Sequence, residues 1–161
     1  MSVDPLEFRS IIGHFATGVT VITTAAGEEM QGMTANAVAS LSLDPTMILV
    51  CVEKNTHTHG VLERSGVFAV NILAAHQEDV SRIFAIRAEP EINSLRGQHF
   101  LIGESGAPVL EDCLAYLECQ VTQLFEGGDH SIFIGEVVAA GMVSESAPLV
   151  FYRGGYRTLA P

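Results

Sequence analysis

Four stretches of the sequence carry residues able to do chemistry. Asn55-Thr56-His57-Thr58-His59 follows a strongly apolar run and groups two hydroxyls, an amide and two imidazoles behind Lys54. At the start of a helix, unpaired N–H groups and a partial positive charge favour a phosphate. The Asn55 amide, both Thr hydroxyls and the Lys54 ammonium would add donors; an ordinary polar cap uses the same residues. The His57-x-His59 spacing lets two imidazoles share a strand face and reach a metal. No third or fourth ligand stands at a recognisable spacing, so no metal is expected. Gly127-Gly128-Asp129-His130 sets an imidazole beside a glycine turn, with Asp129 placed to orient the ring. A hairpin histidine also serves structure alone. Phe151-Tyr152-Arg153-Gly154-Gly155-Tyr156-Arg157 combines aromatic faces with guanidinium groups around a glycine pair, suited to stacking and anion recognition. The plainer reading is a surface turn with an apolar anchor. Finally, Gly32–Pro45 is rich in small and hydroxylated residues. Its main chain, with Thr34, Asn36, Ser40 and Ser42, could read the edge of a flat heteroaromatic ligand, or could simply pack closely on a neighbouring strand.

Other chemistries are excluded by what is missing. No G-x-x-x-x-G-K-[ST] is present, and no G-x-G-x-x-G opens a helix after a strand, so neither a P-loop nor a dinucleotide-binding βαβ unit is supported. Gly103-Glu104-Ser105-Gly106 falls one residue short of a nucleophile elbow. With 8 Lys and Arg against 19 Asp and Glu, the net charge of −11 argues against nucleic-acid or anionic-membrane surfaces. No run approaches the ~20 apolar residues of a membrane helix, and Met-Ser-Val-Asp-Pro lacks the pattern of a signal peptide. Cys51, Cys113 and Cys119 are odd in number, sit in or beside apolar segments and show no CxxC spacing, which points to a reducing cytoplasm.

The elements that must position these residues follow from periodicity. Asp4, Pro5 and Glu7 open a helix with Phe8, Ile11, Ile12 and Phe15 on one face. Val19–Thr24 reads as a strand, Ala26–Glu29 as a turn, and Met30–Val38 as the hairpin partner. Asp44-Pro45 precedes a buried strand at Met47–Val52; Thr56 or Thr58 caps a short helix ended by Gly66. A strand at Val67–Leu73 and a helix at His76–Ala85 come next, then a segment over 86–113 read mostly as loop. Leu114–Phe125, Ser131–Val143 and Leu149–Tyr152 complete the strands. The 161 residues fit one domain over 1–161, by the prior of ~100–200 residues each. Strands outnumber helices and rarely alternate with them, which predicts an antiparallel, mainly β barrel with peripheral helices. At 48% hydrophobic, the chain holds more apolar residues than a lone domain this size needs. A subunit interface or an apolar ligand cleft would account for the excess.

From Phe8 to Leu159 the sequence resembles the short-chain flavin reductases, the NAD(P)H:flavin oxidoreductase components of two-component flavin monooxygenases. The resemblance is carried by Phe15–Thr24, Gly32–Pro45, Asn55–Thr58, Ser81–Ala85, Gly128-Asp129-His130 with Gly135-Glu136-Val137, and Tyr152–Tyr156, in that order. It implies a split β-barrel, antiparallel and Greek-key-like, binding FMN or FAD in a homodimer with NADH or NADPH as co-substrate. It further implies that the flavin ring lies against Met33, Thr34, Ala35, Asn36 and Ala37, near Ser40, Leu41 and Ser42. The phosphate would meet Asn55, Thr56 and Thr58, while Cys51, Val52, Phe84 and Ala85 line the site. His130 would orient the nicotinamide, received with Tyr152, Arg153 and Tyr156. His57 stands where relatives often carry another polar residue, and residues 86–113 match poorly. Hydride transfer from nicotinamide to flavin needs no protein nucleophile, and a flavin-dependent monooxygenase is the implied partner. Three alternatives share the barrel: a protein holding FMN tightly as an electron carrier, a pyridoxamine-phosphate-oxidase-like enzyme, and a ligand-free barrel.

Overall fold

The computed structural model describes residues 2–86 and 95–159. Helix α1 (Pro5–Ile12) starts where its capping chemistry places it: Asp4 Oδ1 accepts from the N–H of Leu6 (2.9 Å) and Glu7 (3.2 Å). No residue of this helix is buried, and Leu6, Phe8, Ile11 and Ile12 on its apolar face are half exposed or more. There follow β1 (Thr17–Gly18), β2 (Thr20–Ala26), β3 (Glu29–Ala35), β4 (Val38–Leu43), β5 (Thr46–Glu53), α2 (His57–Ser65) and β6 (Val67–Ile72). A 3-10 turn at Ala75–Gln77 leads into α3 (Glu78–Ala85). After it come β7 (Phe100–Ile102), β8 (Pro108–Leu110), β9 (Ala115–Gly127), β10 (His130–Met142), β11 (Val150–Tyr152) and β12 (Gly155–Arg157).

Seven strands form one antiparallel sheet in the order β3-β2-β6-β9-β10-β5-β4. Its two edges, β3 and β4, are consecutive in the chain and separated only by Asn36-Ala37. The sheet therefore has to curl until its edges meet at that corner, where the Cys51 N–H donates to Ala37 O (3.0 Å). β3 also approaches β5 across the seam. Inside, Ile22, Val50, Val52, Leu62, Phe68, Val70 and Phe133 form the core. A second cluster of Val19, Val21, Leu73, Phe84, Leu110 and Leu149 lies on the other side of β2. With both faces covered, Thr20–Thr24 is buried throughout.

Two departures from the sequence reading matter for the site. The extended stretch at 32–45 is not one strand: it ends β3, bends at Asn36-Ala37 and returns as β4, pairing with β5 instead of β2. The segment 86–113 is mostly loop among its described residues, as read, but β7 and β8 pair within it as a short hairpin that the sequence reading did not place; its residues 87–94 lie outside the described ones. Long-range bonds hold that hairpin. The Leu110 N–H donates to buried Asn71 Oδ1 (2.8 Å), and buried Glu118 Oε2 accepts from the N–H and hydroxyl of Ser105 (both 2.8 Å). Of the two caps that the sequence offers helix α2, Thr56 is the one used: its Oγ1 accepts from the His59 N–H (3.2 Å). Gly66, at φ +67°, ends the helix in the left-handed conformation that suits glycine.

Candidate functional site

The seam between β3 and β5 opens a cavity of about 320 Å³. One wall is β3, from Gln31 to Thr34; the opposite wall is Glu53, Asn55 and the first turn of α2, with Thr56, His57 and Thr58. Phe84 and Ala85 at the end of α3 close it, together with Ile86 and Arg96. Thr56 holds the α2 start in place, donating to Glu53 O (2.7 Å) while capping the helix. The first-turn N–H groups and Thr58 thus face a space that suits an anion. Close approach at Gly32 is required, because a Cβ there would stand 2.7 Å from the Phe84 ring.

Two further hollows continue from this cavity through shared residues. A small one of about 180 Å³ is lined by Thr34, Ala35, Asn36, Ser81, Ala85, Phe151 and Tyr156. A larger cleft of about 720 Å³ lies beneath α1, between Asn36, Ala37, Cys51, Phe151 and Thr17. Met33–Ala37 therefore runs along all three. Thr17 Oγ1 is, among the described residues, the buried side-chain oxygen without a hydrogen-bond partner, and it sits in the wall of the large cleft. A flat ring with polar edges would satisfy it. A phosphate-suited helix start, a chain of hollows along an exposed corner and an unmet hydroxyl together fit a flavin nucleotide. Burial pushes the Cys51 thiol up, leaving it a neutral lining group.

The sequence-predicted residues divide in the structure. Met33, Thr34, Asn55, Thr56, Thr58, Phe84 and Ala85 meet around the seam cavity; Ala35, Asn36, Ala37, Cys51 and Tyr156 line the adjoining hollows. Val52 does not join them. Side chains alternate along β5, so Val52 points into the core and is completely buried, while neighbouring Cys51 faces the cleft. Ser40 and Ser42 line a separate apolar hollow with Met47 and Val137–Ala140, and Leu41 sits exposed at a bulge between them. Tyr152 packs edge-on against His14, with ring centroids 6.2 Å apart. Arg153 is an exposed turn residue whose N–H donates to Gly13 O (2.8 Å). Both address the end of α1.

His130 opens β10 directly opposite Glu53, beside the seam. Its Nδ1 lies 2.7 Å from Asp129 Oδ1, and that bond, then the imidazole's charge, lowers the Asp129 pKa. The turn is tied to the α2 loop through Lys54, whose N–H donates to Asp129 O (3.0 Å) and whose ammonium bonds Glu126 and Gly128 O. Lys54 is thus spent on the hairpin and is not among the residues lining the cavity. His57 and His59 do not converge: His57 Nε2 lies 2.6 Å from Glu29 Oε1, and His59 Nε2 lies 2.8 Å from Ser131 Oγ. Among the described residues no group of three His, Cys, Asp or Glu is placed to hold a metal. No described helix is long and apolar enough to cross a membrane.

Sequence reasoning missed Arg96 and Ser81. Arg96 brings a guanidinium to the cavity wall, where it bonds the carbonyls of Ile83 and Ile86 and lies 6.0 Å from the centre of the Phe84 ring. No periodic pattern surrounds it. Ser81 stood in a recognised motif, but helical spacing alone does not show that its hydroxyl leaves the helix for Tyr156.

Residues 12–160 match the flavin reductase-like domain family. An NADH-dependent FAD reductase of Streptomyces globisporus is 41% identical over 160 residues, covering 98% of this chain and 87% of its own. The reductase subunit of a flavin-dependent monooxygenase from Mycobacterium tuberculosis is 38% identical, covering 99% and 84%. The solved NADH:FAD oxidoreductase of Streptomyces globisporus, in complex with NAD and FAD fragments, superposes with a TM-score of 0.89 at 39% identity, covering 100% and 98%.

Proposed function

The chain belongs to the flavin reductase-like domain family, and from that membership we propose that it is a reductase that oxidises a reduced nicotinamide nucleotide and delivers reduced FMN or FAD to a flavin-dependent monooxygenase. The observation that supports it most is the continuity of the site. An anion-suited helix start and an exposed strand corner line two hollows that adjoin through Thr34 and Ala85, and one nucleotide spanning both fits that arrangement. Asn55 and Thr58 hold its phosphate at the helix start that Thr56 caps, with the Arg96 guanidinium on the same wall. Met33–Ala37, Cys51, Phe84 and Ala85 seat the ring system. When bound, the flavin supplies the hydride acceptor and the nicotinamide the hydride. The protein's part is to hold two planar rings at ~3–3.5 Å in a productive orientation. Tyr156 presents an aromatic face to the hollow beside Asn36, and His130, steered by Asp129, orients the incoming nicotinamide. Asn36, Ala37 and Asn55 are exposed, so the seat is open enough for a flavin that comes and goes.

The active unit in this reading is a homodimer. Phe8 (57% exposed) and Phe15 (73%) at α1, and Leu43 (85%) on edge strand β4, are apolar side chains left in solvent by a single chain. Obligate interfaces bury roughly 2,000–5,000 Å², and light scattering of a stable monomer at micromolar concentration would remove the dimer. Three free cysteines suit a cytoplasmic setting.

The deciding experiment follows oxidation of NADH and NADPH with riboflavin, FMN or FAD by the loss of near-ultraviolet nicotinamide absorbance. Turnover with free flavin is expected. Flavin retained through a desalting column with no turnover of added flavin would instead make the protein an electron carrier.

A further inference from the structure

We propose that Ser81 is a positioning residue that keeps the nicotinamide-facing turn in register with the flavin-facing strand, a role that rests on the flavin reductase reading above. Ser81 lies in the middle of α3 and is completely buried. A serine there ordinarily returns its hydroxyl to a carbonyl one turn back. Here Oγ lies 2.7 Å from the Tyr156 hydroxyl, 75 positions away in the chain. The Ser81 carbonyl, meanwhile, accepts from Thr34 Oγ1 at 2.6 Å. Thr34, Ser81 and Tyr156 all line the same small hollow. Two of its walls, β3 and β12, are therefore both bonded to one residue, the first through its main chain and the second through its side chain.

The other contacts of Tyr156 leave this bond a distinct task. Phe151 meets the ring edge-on at 5.5 Å, and the Arg82 guanidinium lies 4.9 Å from the ring centre. Arg82 is in turn held by Glu78 (2.6 Å). Those contacts set the plane of the ring, while a hydrogen bond at the hydroxyl sets where the ring stops along that plane. Hydride transfer falls steeply with misplacement of the reacting rings, so small sliding of Tyr156 relative to Thr34 would be felt in rate before it was felt in binding of flavin.

Because the Thr34 arm is main chain, Ser81→Ala cuts only the Tyr156 arm, and Tyr156→Phe cuts the same bond from its other end while keeping the ring. Stopped-flow reduction of pre-bound flavin, nicotinamide KM, flavin Kd and Tm are measured for both variants and for the double variant. Each single variant is expected to slow reduction and raise KM about three- to tenfold, the reach of one net hydrogen bond. Flavin Kd should stay at the wild-type value, and the double variant should be no worse than either single one. Wild-type reduction and KM in both singles, additive losses in the double, or flavin Kd rising in step with a falling Tm would each overturn the role. A wild-type protein that fails to oxidise NADH or NADPH with flavin removes the underlying reading itself, a result visible before any variant is made.

Discussion

Replacing Thr58 by Val separates phosphate recognition from helix stability. Thr58 is 4% exposed and lines the seam cavity from the first turn of α2. Val keeps its branched shape and packing and removes only the hydroxyl. A hydrogen bond to a charged group contributes about 1.5–3 kcal/mol, and about 1.4 kcal/mol is a factor of ten. The Kd for FMN should therefore rise by roughly ten- to 150-fold. Riboflavin has the same ring and no phosphate, so its Kd should stay within about twofold, since neutral packing is conserved. Thr56→Ala is the contrast. It loses the cap on His59 and the bond to Glu53 O, costing about 1 kcal/mol of stability with or without ligand, or roughly 2–4 °C in Tm for a domain this size. Titrating each variant with FMN and with riboflavin, read by quenching of flavin fluorescence, gives the comparison. Equal weakening of both ligands in Thr58→Val would refute the assignment, because a hydroxyl that reads phosphate cannot affect a ligand without one.

Other outcomes follow from neighbouring geometry. Gly32→Ala places a Cβ 2.7 Å from the Phe84 ring; the ring must leave the cavity wall, costing about 1–3 kcal/mol in denaturant unfolding and weakening flavin binding. Maleimide labelling of the native protein at mildly alkaline pH, read by intact mass, should reach Cys51 first and be slowed by flavin. Cys113 and Cys119 are buried, with thiols pushed up to about 11 and about 12. The Asp129 carboxyl should titrate below its ordinary 3.8 by NMR and return toward it in His130→Ala, because the His130 bond is the main cause of the lowering. A depressed carboxyl contributes stability above its unfolded pKa and loses it as pH falls through the folded one. On so exposed a pair salt screens that contribution to a small one.

How far the fold could be read depended on whether its signals were local. The Asp4-Pro5 start, the Thr56 cap and the Gly66 stop are decided within one helical turn, and the structure uses all three. The β7–β8 hairpin is decided elsewhere, by Asn71 on β6 and Glu118 on β9, so its own three-residue strands carry no pattern to find. Val52 shows a subtler limit. The run Met47–Val52 is apolar at every position because the barrel core takes one face of β5 and the hollows toward α1 and β4 take the other. Alternation, the signal that would have turned Cys51 outward and Val52 inward, is erased when both faces are covered.

Charge misleads in the opposite way. Lys54 lies beside the hydroxyls of the predicted phosphate loop, and proximity in sequence makes it the natural partner for an anion. Its ammonium instead neutralises Glu126 and bonds Gly128 O, while its N–H bonds Asp129 O. Among the described residues the guanidinium on the cavity wall is that of Arg96, which arrives from beyond α3 and anchors itself on the carbonyls of Ile83 in the last turn of that helix and Ile86 just past it. A lysine is a flexible point charge, well suited to fastening two loops across a gap; a guanidinium offers five N–H groups in a fixed plane and can hold carbonyls while still facing a ligand. The consequence is mechanical. Lys54 ties the α2 loop to the β9–β10 turn, so the proposed phosphate seat and His130 are held together by the residue that sequence proximity assigns to the phosphate alone.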